Sequence, residues 1–310
     1  VGSSHHKPPL LLYYLLTVYT TMFDWDDEVC GTYQAVEEPK GASTAKLVDS
    51  SFDLGLEAVN LQIGVVGAVA WRRAEGAARA PLAVVLVPGN PEINSYHSSM
   101  DLPLTLEKEF LNSGIPVVRF DYDGVGLSSP GSGNPPSQEY HVTVPNTRAV
   151  IEWAKEHLSD RIVACGWNYG GSPATILAHE RMPGLHALMF VSWGYNIWMM
   201  VKQMQSPEAG LALREEYEGH AKLELPAIYI FGDKDSFTPS GHVQRIVKLR
   251  SDKGARAEVR LIRQGDQPRM ENIAYFQLRG KEKETAGICV NWVKGLWEEL
   301  QAQDSKLIGA

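Results

Sequence analysis

The stretch Arg161-Ile162-Val163-Ala164-Cys165-Gly166-Trp167-Asn168-Tyr169-Gly170-Gly171 constrains the fold more than any other part of this chain. After Arg161 its uncharged, partly β-branched first half reads as a buried strand. Gly166, Gly170 and Gly171 then mark a sharp turn, and a helix is expected over about 173–181. Asn168 stands at the apex. A turn this tight needs a residue in a strained backbone region, often with positive φ, where Asn is enriched among non-glycine residues.

The same alternation runs through most of the chain. An apolar strand pattern covers Asn60 to Trp71 and ends in Arg72-Arg73, and a short run from Pro81 to Val87 closes at Pro88-Gly89. A helix over about 102–112 is stopped by Gly114 before a strand over 115–120, and a helix over about 145–158 feeds the strand at 161–165. A strand at 187–193, one or two inserted helices over 195–222, a strand at 227–231, a helix at 242–250, a strand at 257–262 and a helix at 283–301 follow. In the last helix Cys289, Val293, Leu296 and Leu300 make an apolar stripe that core packing explains. This order predicts an α/β fold, with a mainly parallel central sheet and helices on both faces. At 310 residues one such domain with extensions is the economical organisation. Residues 1–55 read as an N-terminal extension, 56–303 as the domain and 304–310 as a C-terminal tail.

Charge and cysteine content narrow the function classes. Twenty-nine Lys and Arg against thirty-seven Asp and Glu give a net charge of −8, which offers no global attraction to nucleic acid or anionic lipid. Cys30, Cys165 and Cys289 lie far apart and form no C-x-x-C, so buried free thiols are expected, with no metal and no cofactor. That usage weakly favours a reducing compartment. The chain starts without Met, which fits a processed chain, an organellar one included, or a truncated one. The uncharged run from Pro9 to Phe23 is shorter than the roughly 20 apolar residues of a membrane span. It is expected to pack on protein, and residues 8–30 are the expected docking segment for partner subunits; membrane contact short of a span also fits.

Four motifs in order resemble those of the α/β-hydrolase superfamily, over about residues 56–303. Leu86-Val87-Pro88-Gly89-Asn90-Pro91 looks like the oxyanion loop, and Phe120-Asp121-Tyr122-Asp123-Gly124-Val125-Gly126-Leu127-Ser128 like the turn after the fourth strand. Gly166-Trp167-Asn168-Tyr169-Gly170 matches the Gly-x-Ser-x-Gly nucleophile elbow with Asn in place of Ser. Phe231-Gly232-Asp233-Lys234-Asp235-Ser236-Phe237-Thr238-Pro239 resembles the segment that ends in the triad acid.

The resemblance implies an acid at Asp235, a base at Gln267 and a nucleophile at Asn168. An amide nitrogen shares its lone pair with its carbonyl and has no readily removed proton, so Asn168 cannot form an ordinary acyl-enzyme. Gln267 does not titrate near neutral pH and cannot shuttle a proton. The triad is therefore expected to be degenerate, with no functional catalytic residues. Its oxyanion donors, the backbone N–H groups of Asn90 and Tyr169 beside Gly89, survive side-chain replacement, although Pro91 offers no N–H. Histidines that can be weighed as rescue bases are His97, His141 and His242. Ser128 and Ser129 are expected as turn formers, and Ser172 in the first turn of the helix after the elbow.

Three functions follow as expectations. The first is a catalytically inactive structural or accessory subunit of a protein assembly. The second is a module that binds a small molecule in the former active-site pocket. The third is a residual ester or thioester hydrolase that does not use a serine.

Overall fold

The computed structural model describes residues 56–73, 79–89, 101–129, 131–133, 137, 139–193, 219–233, 235, 240–263, 278 and 280–308. Eight strands form one sheet: β1 (Leu56–Ile63), β2 (Val66–Arg73), β3 (Ala83–Val87), β4 (Val117–Phe120), β5 (Ile162–Trp167), β6 (Leu185–Val191), β7 (Ala227–Gly232) and β8 (Ala257–Ile262). Their spatial order is β1-β2-β4-β3-β5-β6-β7-β8. The pairings β1 with β2 and β2 with β4 are antiparallel, and all others are parallel.

Burial follows from that order. Every residue of β3, β5 and β7 is buried, as a parallel strand covered on both faces requires, and their sequences are near-continuous apolar runs. The edge strand β1 is exposed at Glu57, Ala58, Asn60 and Gln62. The helices described from end to end are α1 (Asp101–Asn112), α2 (Tyr140–His157), α3 (Gly171–His179), α4 (Ser240–Ser251) and α5 (Glu282–Ile308). Strand alternation sorts them into two layers. Ala83, Val85 and Val87 of β3 pack with residues of α2, α3 and α4 such as Val150, Leu177 and Ile246. Val84 and Leu86 point the other way and pack with Leu106 and Phe110 of α1 and Val293 and Leu296 of α5. The expected apolar stripe of the last helix, Cys289, Val293, Leu296 and Leu300, lies in this second core.

Polar contacts fasten the sheet's margins. Glu107 of α1 accepts the indole N–H of Trp71 on β2 at 2.7 Å and pairs with the Arg119 guanidinium on β4 at 2.9 Å. The exposed Glu57–Arg72 pair lies directly across the β1–β2 ladder at 3.0 Å and is worth under about 1 kcal/mol.

Three boundaries differ from the sequence expectation. The strand read over 60–71 is two antiparallel strands, because Gly64 adopts φ 62° and opens a two-residue hairpin turn that the surrounding Ile and Val conceal. The helix expected from 145 starts at Tyr140 and carries Pro145 inside it, so the carbonyl of His141 has no helical donor from that residue. The last helix runs to Ile308 and so continues across the boundary set between 303 and 304. The extension 1–55 and nearly all of the insertion expected at 195–222 lie outside the described residues. Among the described residues no helix is long and apolar enough to cross a membrane.

Candidate functional site

The carboxyl ends of β5, β6 and β7 share one edge of the sheet, and of the candidate residues Asn168, Tyr169 and Asp235 lie there. Strand β5 ends at Trp167, a single 3₁₀ turn spans Asn168–Gly170, and α3 begins at Gly171, whose N–H is directed at the carbonyls of Asn168 and Tyr169. Asn168 is half-buried and has φ 51°, the left-handed backbone that this reversal demands.

The glycines of the motif are required by close approach. A Cβ on Gly166 would lie 2.6 Å from Cα of Gly171, and one on Gly170 would lie 2.4 Å from the carbonyl oxygens of both Val87 and Pro88. The loop after β3 is therefore pressed against the elbow by its backbone. Pro88 and Gly89 are buried, and the Pro88 carbonyl accepts the hydroxyl of Tyr122 at 3.2 Å. Beside the elbow Tyr169 is 2% exposed, its hydroxyl 3.0 Å from that of Thr143 and its ring stacked on Tyr140 at 6.0 Å between centroids. Tyr169 thus fills space next to Asn168 with aromatic surface, and burial, reinforced by Tyr169, holds the Tyr122 phenol well above its ordinary pKa.

Asp235 lies past the end of β7, 6% exposed, with its N–H bonded to the Gly232 carbonyl at 3.2 Å. Asn168 and Asp235 stand at the same edge, with β6 between their strands. Gln267, Asn90 and His97 lie outside the described residues, as does the side chain of His242 on α4. His141 is exposed in the first turn of α2.

Other reactive groups are structural in placement. Cys165 in β5 is fully buried, and burial pushes its thiol up to about 12; Cys289 of α5 is buried in the same core, its thiol raised for the same reason. The Ser128 hydroxyl bonds the Asp121 carbonyl at 2.6 Å and accepts the Gly67 N–H at 2.7 Å, tying the turn after β4 to β2. Ser172 is buried in the first turn of α3. Among the described residues no group of three or more His, Cys, Asp or Glu is placed to hold a metal ion.

Two features of this edge have no signature in the sequence. The register pairs Trp167 with Val191, so Ser192 stands level with Asn168 on the next strand, and it too is left-handed, at φ 47°. Its Oγ and the Trp167 indole nitrogen are buried and have no hydrogen-bond partner among the described residues. The bend at Ser192 carries Trp193 into the core shared with α3, where it stacks on the fully buried His220 at 3.9 Å.

No family model matches the chain, and no curated protein matches it in sequence. Solved structures do match in shape. An esterase from Butyrivibrio proteoclasticus, solved with ferulic acid bound, is 17% identical at a TM-score of 0.54, covering 79% of this chain and 100% of its own. An esterase from Pyrococcus furiosus is 15% identical at a TM-score of 0.52, covering 83% and 100%. An α/β serine hydrolase homologue from Coxiella burnetii is 18% identical at a TM-score of 0.51, covering 76% and 96%. At these identities the likeness is one of fold, and the chain has the α/β-hydrolase fold.

Proposed function

We propose that this α/β-hydrolase fold does no serine-type chemistry and acts as a structural or accessory subunit of a protein assembly. The observation that carries the reading is Asn168 at the left-handed apex of the elbow. The position that would present a hydroxyl carries an amide, which cannot be deprotonated and attack a carbonyl at neutral pH. Gln267 at the expected base position supports the same conclusion, because an amide cannot take up and return a proton. A fold whose close glycine contacts persist while its reacting groups are replaced is suited to serve as a scaffold, and the run from Pro9 to Phe23 supplies an apolar segment for docking.

The test is restoration. The chain should show no turnover of short aryl esters, and Asn168→Ser with Gln267→His should create it, lost again on Asp235→Ala. Wild-type turnover that disappears in Asn168→Ala overturns the inactive reading. A soluble monomer that co-purifies with no other subunit, with residues 8–30 present, overturns the accessory role.

A second reading, a small-molecule site without turnover, is favoured by Trp167 Nε1 and Ser192 Oγ, buried with no hydrogen-bond partner among the described residues at the carboxyl edge of the sheet, where ligands of open α/β folds bind. A small carboxylate or ester that raises the Tm of the wild type but not of Ser192→Ala would support it.

A further inference from the structure

Beneath the elbow lies a line of polar groups that the triad reading does not use. Thr175 on α3 places its hydroxyl 2.8 Å from the Gly171 carbonyl and 2.8 Å from His220 Nε2. His220 Nδ1 is 3.2 Å from the Tyr229 hydroxyl on β7, and that hydroxyl accepts Arg250 Nη1 of α4 at 2.8 Å. His220 and Arg250 are both 0% exposed.

The proton positions follow from counting donors. The Thr175 hydroxyl has one proton, and the Gly171 carbonyl can only accept it, so His220 Nε2 must donate to Thr175. At the other end the Tyr229 oxygen already accepts from Arg250, so its single proton goes to His220 Nδ1. Both ends require the same neutral tautomer, Nε2–H. The hydrogen bonds therefore run in one direction, from Arg250 through Tyr229, His220 and Thr175 to the first carbonyl of α3.

His220 also reaches that helix through packing. Its ring stacks on Trp193, and a Cβ on Gly171 would fall 2.6 Å from Trp193 Cδ1, so the indole lies directly against the helix start. We propose that His220 is a proton-sensitive keystone: neutral and protonated at Nε2 it ties the elbow helix α3 to β7 and α4, and uptake of a second ring proton releases that helix.

A proton on Nδ1 would face the hydroxyl proton of Tyr229 and would add charge beside Arg250. Among the described residues the groups around the ring are Thr175 and His179 from α3, Phe190 and Trp193 from β6 and its end, Tyr229 from β7 and Arg250 from α4. None of these is a carboxylate. Burial first, then Arg250 and His179, hold the His220 pKa well below its ordinary value. The sign follows: an opened form takes up a proton below about pH 6.5 while the closed form does not, so the tie is complete above that pH and weakens as pH falls. Between pH 7 and pH 5 the opened population rises about twentyfold. The inference does not depend on whether the elbow has any chemistry.

The experiment combines long-range ¹H–¹⁵N NMR of histidine-labelled protein with hydrogen exchange. The His220 resonance, identified by its loss in His220→Gln, should have the Nε2–H pattern at pH 7. Amides of Thr175–His179, corrected for intrinsic rate, should exchange about twentyfold faster at pH 5 than at pH 7. Those of Val290–Leu296 in α5 should change far less, and His220→Gln should abolish the difference. An Nδ1–H tautomer overturns the proposal, as does an equal acceleration in α3 and α5 or an acid response that persists in the Gln variant. If that variant does not fold, the wild-type tautomer, assigned through its contact with Trp193, and the α3–α5 contrast decide the matter.

Discussion

At the elbow the fold is set by atoms that are missing, and around His220 by atoms that are present. Gly166, Gly170 and Gly171 let backbone meet backbone or an aromatic ring at distances no Cβ would permit, so the reversal does not rest on a hydrogen bond or a reacting group of the side chain at position 168. A few residues along α3 the constraint is inverted: Thr175, His220, Tyr229 and Arg250, all buried, hold one another through side-chain hydrogen bonds. The first kind of site can exchange its reacting groups and keep its shape. In the second, removal of a single hydroxyl, that of Tyr229, takes a partner from two buried groups at once.

Substitutions can break this contrast, and the largest effect is expected from Gly170→Ala. Its methyl would meet two carbonyl oxygens at the end of β3, which cannot retreat without moving the strand, and the cost should be about 3 kcal/mol in the urea midpoint. A loss below about 1 kcal/mol would show that loop and elbow part easily. Tyr229→Phe comes next. It strips one oxygen and leaves both Arg250 Nη1 and His220 Nδ1 without that partner, for about 2 kcal/mol. A neutral result would mean the side-chain network contributes specificity rather than stability.

The smallest effects sharpen the comparison at the two ends of α3. Arg181 adopts φ 54° where the helix ends, with its N–H on the Ala178 carbonyl and that of Met182 on the Leu177 carbonyl. Glycine is the usual residue there, so Arg181→Gly should stabilise by about 0.5–1 kcal/mol. Asn168→Gly should change stability by less than about 0.5 kcal/mol, since Asn tolerates the same conformation with little strain. Thermal denaturation of the two variants side by side measures the difference. A gain at 168 as large as that at 181 would mean Asn168 is kept at a real cost in stability.

What was legible in the sequence follows the same division. The buried parallel strands announce themselves as apolar runs, and the elbow as glycines at fixed spacing, because both are local patterns with one steric cause. Gly64 is concealed because Ile63, Val65 and Val66 continue the apolar run on either side of the turn. Pro145 drew the start of α2 five residues too late, since proline is common in the first turn and costly beyond it. The His220 network left no trace. Its successive members are 45, 9 and 21 residues apart, and no periodicity links them. Only the stacking of α3, β7 and α4 brings them together, and the directional bonding that fixes the tautomer exists only there.

The contact between Trp193 and His220 has an optical consequence. An excited indole gives up an electron to an imidazolium far more readily than to a neutral imidazole, so a ring stacked at 3.9 Å turns the charge of His220 into a change in emitted light. The emission lost on Trp193→Phe should be dim whenever the stacked imidazole is charged and bright when it is neutral. Trp193, one ring away from a fully buried histidine, would thus report whether that histidine has taken up a proton.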